Sequence, residues 1–237
     1  MRAIEEFADQ RQKAWCVHCG CALIDTDVNR DHVPSRALLL EPYPENLPCI
    51  GICRACNEGF SQDEEYTVAL LSTVLAGTTD PGCQAIPAAA RILGRSSKLR
   101  ERIDRARAPH AIPGGAARPV WMPEVGRVER VILKNARGHA LFEHAEPLLD
   151  DPARIWFAPI QSMAQAGREA FEQVETGGFW PEVGSRMFTR VITGHDLADG
   201  WVVVQPGVYR YSVRCCGTVL VRSVLFEYLA TEVRWDD

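Results

Sequence analysis

Cys16-Val17-His18-Cys19 and Cys53-Arg54-Ala55-Cys56 are two C-x-x-C pairs, and the polar stretch between them decides how this chain is read. Two such pairs offer four thiolates on two tight turns, which is the arrangement tetrahedral Zn²⁺ prefers. They also close the ends of a segment too short and too polar to have a core of its own, so metal binding and folding are expected to be one event. The expected ligands of a structural zinc are Cys16, Cys19, Cys53 and Cys56; His18, Cys21 and Cys49 lie close enough in sequence to substitute for one of them.

Outward from the pairs, nine cysteines in 237 residues would suit a disulfide framework in a small secreted protein. The N-terminal residues MRAIEEFADQRQKAW mix acids with bases and contain no apolar run, and the apolar stretch at 68–76 is interrupted by Ser72 and Thr73. These features point to ligated thiols in a reducing cytoplasm and to no membrane insertion. Net charge is −5, which argues against a protein that coats nucleic acid. Its distribution is uneven: residues 1–80 hold 6 Lys/Arg against 13 Asp/Glu (−7), residues 81–150 hold 12 against 7 (+5), and residues 151–237 hold 8 against 11 (−3). An acidic site followed by a basic middle suits a metal-dependent enzyme acting on a polyanion, the plain alternative being charge scattered over solvated faces.

Between the pairs lie Asn29-Arg30-Asp31-His32-Val33-Pro34-Ser35-Arg36 and Glu45-Asn46-Leu47, and Asn57 follows the second pair directly. A zinc-knuckle C-x-x-C, then Asp-His-Val-Pro, then Asn-Leu, then C-x-x-C-Asn resembles the HNH endonucleases of the ββα-metal fold, over roughly residues 16–65. The resemblance implies that His32 is the general base that deprotonates water for phosphodiester hydrolysis. It implies that Asp31 and Asn57 ligate a catalytic Mg²⁺ or Mn²⁺, and that the Asn46 amide holds the loop that orients the base. A neutral imidazole suits the base role near pH 7, and oxygen ligands suit a hard divalent ion. The expected partner is nucleic acid, most simply DNA. Two departures stand out. Many family members have a second His where this chain has Asn57, and the usual Lys or Arg after the final Asn is replaced by Glu58-Gly59-Phe60. The plain alternative for the cluster is a non-catalytic zinc module that binds nucleic acid or protein.

Around this core, residues 2–14 read as a short helix, the runs at 22–24 and 47–52 as two brief strands, and 54–76 as a helix. Asp63-Glu64-Glu65 on that helix reads as a solvated face, or as a source of one more metal ligand. Thr78 to Gly82 is a loop and a candidate boundary, dividing an HNH module at 1–79 from an accessory region at 80–237. Residues 84–108 look helical and carry seven bases, which would track phosphates or simply face water. Helices are expected at 128–142 and 161–174. From Met187 onward, Val191 and the runs at 202–204, 208–213 and 218–225 read as strands. Trp121, Trp156, Trp180 and Trp201 are expected as core anchors, and His110, His139, His144 and His195 show no spacing that marks a site. The expected fold is α+β: an N-terminal ββα-metal module with a structural zinc, a helical middle and a C-terminal antiparallel β-rich region.

Overall fold

The computed structural model describes residues 4–5, 12–110, 118–145, 147–174, 181–215 and 217–236. In chain order the elements are β1 (Ile4–Glu5), β2 (Val28–His32), β3 (Pro48–Cys53), α1 (Arg54–Ala76), α2 (Pro87–Arg95), α3 (Ser97–Arg105), β4 (Arg107–His110), β5 (Arg118–Trp121), α4 (Val125–His144), β6 (Arg154–Pro159), α5 (Gln165–Glu172), α6 (Arg186–Thr193), β7 (Leu197–Ala198), β8 (Trp201–Gln205), β9 (Tyr209–Cys215), β10 (Thr218–Leu225) and β11 (Leu229–Asp236). The fold is mixed α+β. The chain forms two compact units, one of Met1–Glu58 with Ile132–Asp237 and the other of Gly59–Val131. Thr78 to Gly82 is a loop inside the second unit, where the Asp80 side chain accepts from the Gly82 N–H at 2.9 Å. No helix among the described residues is long and apolar enough to cross a membrane.

In the first unit, β2 and β3 pair antiparallel, Val28 opposite Cys53 and His32 opposite Cys49, and β1 lies parallel on the other side of β3. The chain then turns directly from Cys53 into α1, so two strands are followed by a helix. The first strand of this pair is Val28–His32. The run at 22–24, read from sequence as that strand, instead makes a single bridge to Trp15 and a short 3₁₀ turn. Apolar content misled here, because β2 buries an acid, Asp31, and leaves Val28 and Arg30 exposed. Ile4 and Glu5 are strand rather than helix; the rest of the expected N-terminal helix, apart from a 3₁₀ turn at Gln12–Ala14, lies outside the described residues. Beneath the strands, Cys16, Val17, Leu23, Val33, Ile50, Ile52 and Cys53 pack with Leu141 of α4 in one apolar cluster.

The rest of this unit is a six-stranded antiparallel sheet in the order β6-β11-β10-β9-β8-β7. Its strands β8, β9 and β10 fall on the β-branched runs expected and β11 follows them, but Val191 sits in helix α6, whose start is capped by Ser185 and whose end is the left-handed Gly194. Trp201 is buried against Phe171, Ile160, Val224 and Ala230, with Trp156 beside them. Trp180 and the side chain of His110 lie outside the described residues.

The second unit contains most of α1, α2, α3, the β4–β5 hairpin and the start of α4. The basic stretch is two helices, because Ser96 ends α2 and caps α3 through its hydroxyl, which accepts from the Leu99 N–H. Ile92, Leu93 and Ile103 are buried as one stripe would require. Arg95 pairs with Glu65 and Arg102 with Glu124. Asp63 is 4% exposed and clamped by Arg127 at 2.9 Å and Arg130 at 2.7 Å, so it is neither a solvated acid nor open to a metal.

Candidate metal and phosphodiester site

Two tight turns bring the thiols together. Gly20, at φ +71, reverses the chain so that the Cys16 N–H donates to the Cys21 carbonyl at 2.9 Å and the Gly20 N–H donates to the Cys16 carbonyl at 2.8 Å. Glycine is the residue that adopts this left-handed backbone without strain. The second turn is the start of α1, where the Cys56 N–H points at the Cys53 sulfur at 3.4 Å. The sulfurs of Cys16, Cys19, Cys21 and Cys53 all lie within 4.8 Å of one another, and Cys19 Sγ is 3.7 Å from Cys53 Sγ. In a tetrahedral zinc site with bonds of about 2.3 Å the sulfur–sulfur edge is about 3.8 Å, so this group has the dimensions of a metal site. Cys56, on the edge of the same cluster, interacts with Cys53, Cys19 and Cys16, which makes five thiols in all.

The electrostatics agree. Hydrogen bonding to the Cys19 sulfur, burial and the nearby Cys53 push the Cys21 thiol up to about 12, and burial with the same neighbours pushes Cys56 up as well. Packed thiols resist ionising together unless a cation neutralises them, and a divalent ion supplies that charge. The donors therefore fit a structural metal such as zinc. Cys21 joins the group that sequence spacing assigned to Cys16, Cys19, Cys53 and Cys56. Cys49 and His18 do not: Cys49 is buried opposite His32, and His18 turns toward Asp31.

Asp31 and His32 end strand β2, and strand alternation sends their side chains to opposite faces. Asp31 is 7% exposed. Its Oδ1 accepts from Lys134 Nζ of α4 at 2.8 Å, and its Oδ2 lies 3.9 Å from His18 Nε2. Burial alone would raise this carboxyl; His18 and Lys134 outweigh it and hold the group below the usual carboxylate range. Lys134 also donates to Ser35 Oγ at 3.0 Å, and Ser35 N–H donates to Asn135 Oδ1 at 2.8 Å. The loop after His32 is thus pinned by two adjacent residues of α4. Further along, Gln205 of β8 accepts from Leu40 N–H at 2.9 Å and donates to the Leu40 carbonyl at 3.0 Å.

His32 is half-buried on the face of β2 that carries Val28 and Arg30. Burial, then the charges of Arg36, Lys134 and Arg30, keep its pKa below 6.5 against the opposing pull of Asp31, so the imidazole is neutral at pH 7. Arg36 lies over the Tyr43 ring at 5.2 Å. Asn46 is exposed in the loop before β3, and Asn57 is half-buried in the first turn of α1. Among the described residues neither amide is hydrogen-bonded to Asp31 or His32. The loop-holding contacts found are those of Asn135 and Gln205.

The contribution of α4 is what sequence reading missed. Lys134, Asn135, Arg137, His139, Glu143 and His144 are all buried on it. Arg137 donates to the His18 carbonyl at 3.0 Å and to the carbonyls of Leu149 and Asp150 at 3.1 and 2.9 Å. Polar residues on a partly apolar helix are ordinarily its solvated side; only their partners 47 to 119 residues away distinguish this case. Compared with known proteins, the chain matches no family model, no curated sequence and no solved structure.

Proposed function

We propose that residues 16–65 form an HNH-type module that hydrolyses phosphodiester bonds of nucleic acid, most simply DNA, with His32 as the general base. The observation that carries this reading is the strand–strand–helix order in which Asp31-His32 ends β2 while clustered cysteines join the preceding turn to the head of α1. Zinc bound there supplies a structural cross-link. The neutral His32 imidazole takes a proton from water, whose oxygen attacks phosphorus as the leaving oxygen departs. Arg30 and Arg36, both exposed on either side of His32 in the chain, offset charge on the phosphate. The Mg²⁺ or Mn²⁺ that the resemblance places on Asp31 and Asn57 does not fit these residues as they stand, since a buried ammonium already occupies the inner side of Asp31.

A second reading, a non-catalytic zinc module that binds nucleic acid, is favoured by that same Asp31–Lys134 pair. Nicking of supercoiled plasmid by the zinc-loaded protein with Mg²⁺, with Mn²⁺ and with no added metal separates the two. Relaxed plasmid in any arm supports hydrolysis; binding without relaxation in all three supports the binding module.

A further inference from the structure

A hard divalent ion of the Mg²⁺ class demands about six oxygen ligands at close to 2.1 Å. Asp31 offers no such shell. One carboxylate oxygen accepts from Lys134 Nζ at 2.8 Å and the other faces the His18 ring at 3.9 Å. The Asp31 and Lys134 side chains are 8% and 3% exposed, and the lysine is fixed by its second bond to Ser35. An ion bound to Asp31 would bring two positive charges together in a buried place, where repulsion is least screened. Breaking the pair to admit it would strand an ammonium away from water.

We propose that Lys134 takes the place of the divalent ion at Asp31: it is that carboxylate's permanent counter-ion, and Asp31 ligates no metal. Lys134 and Asn135 then act as positioning residues, fixing Ser35 and with it the loop that leaves His32. The proposal rests on the HNH-type reading only in identifying Asp31 as the ion position. It extends that reading by making phosphodiester chemistry at His32 independent of a metal held by Asp31.

The test is a titration of zinc-loaded, full-length protein with Mn²⁺, following free Mn²⁺ by electron paramagnetic resonance, for wild type and Asp31→Asn. The amide is nearly isosteric and still accepts from Lys134. Neither protein is expected to bind Mn²⁺ with a Kd below about 1 mM, the weak end of built divalent sites. One Mn²⁺ per wild-type chain below that limit, lost in Asp31→Asn, overturns the proposal. Should Asp31→Asn misfold, Lys134→Met takes its place: a tight wild-type Mn²⁺ site whose affinity changes in Lys134→Met lies beside that ammonium and overturns the proposal, and a wild type without a tight site that responds to either substitution upholds it. No substrate is present, so a protein that nicks no plasmid removes the nuclease reading alone, whereas a tight Asp31-dependent Mn²⁺ site removes the Lys134 assignment alone.

Discussion

The sulfurs of Cys16, Cys19, Cys21 and Cys53 lie within 4.8 Å of one another, and Cys56 beside them interacts with three of the four. Cys16 and Cys53 are buried, Cys21 and Cys56 are half-buried and Cys19 is exposed, so the members are not equivalent. Cys53 is central: its sulfur is 3.7 Å from Cys19 and accepts from the Cys56 N–H. One zinc per chain is expected by elemental analysis. Cys53→Ala should lose it and lower the thermal midpoint, because the binding free energy of a structural zinc is folding free energy. Cys21→Ala leaves four thiols and should keep the metal; zinc retained in Cys53→Ala and lost in Cys21→Ala would invert this assignment. The cysteines were legible in the sequence because ligand geometry imposes local spacing. The partner of Asp31 was not, since Lys134 lies 103 residues away and nothing near either residue in the chain announces the other.

At the level of elements, α1 was readable at both ends because the second C-x-x-C pair marks its start and the break at Gly77 its end, while residues 66–73 between them are buried all round. Strand β2 was displaced because its pattern is set by pairing with β3 and by a buried ion pair, not by apolar content. The loop after β2 owes its position to a close approach by α4. A Cβ added at Gly138 would meet the Val33 methyls at 2.7 and 2.9 Å, and Val33 follows His32 directly. Valine is stiff about χ1, so the clash is not relieved by a simple rotation. Gly138→Ala gains up to about 1 kcal/mol of helix propensity, while overpacking of this kind costs about 1–3 kcal/mol. The variant is therefore expected to be less stable, by up to about 2 kcal/mol in urea unfolding once the full propensity gain is set against that cost. A more stable variant would show that α4 does not press on this loop.

Across the first unit, α4 links the hairpin to the six-stranded sheet through buried polar groups. Glu143 is fully buried, accepts from the Tyr211 hydroxyl at 2.5 Å and from Arg190 at 3.0 Å. His139 stacks on Tyr211 with ring centroids 3.6 Å apart and hydrogen-bonds the Tyr209 hydroxyl at 3.0 Å. Burial and the Arg190 charge lower its pKa from 6.5 to about 3. The folded state thus favours neutral His139. This contribution to stability is complete above about 6.5 and is lost as pH falls from there toward 3, at up to about 1.4 kcal/mol per unit. His139→Phe keeps the stacking, and Tyr209 can still donate to Ser223 at 3.2 Å. Its unfolding free energy should fall less than that of wild type between pH 7 and pH 5. Parallel curves would mean that His139 is not held neutral. Strands β8 to β10 were visible in the sequence as β-branched runs, but β6 and the polar face of α4 were not, because an edge strand and a buried charged helix are specified by distant partners.

The most direct test of the account is the nicking rate of His32→Ala against wild type, at equal zinc content and with unchanged circular dichroism and DNA binding. His32 packs half-buried and is hydrogen-bonded to no described side chain, so its removal should leave the fold intact. The other imidazole of the module, His18, faces Asp31 and is 2% exposed, which leaves it unable to substitute. Cleavage is expected to fall by about 10²- to 10⁴-fold. A His32→Ala protein that nicks plasmid as fast as wild type would contradict it.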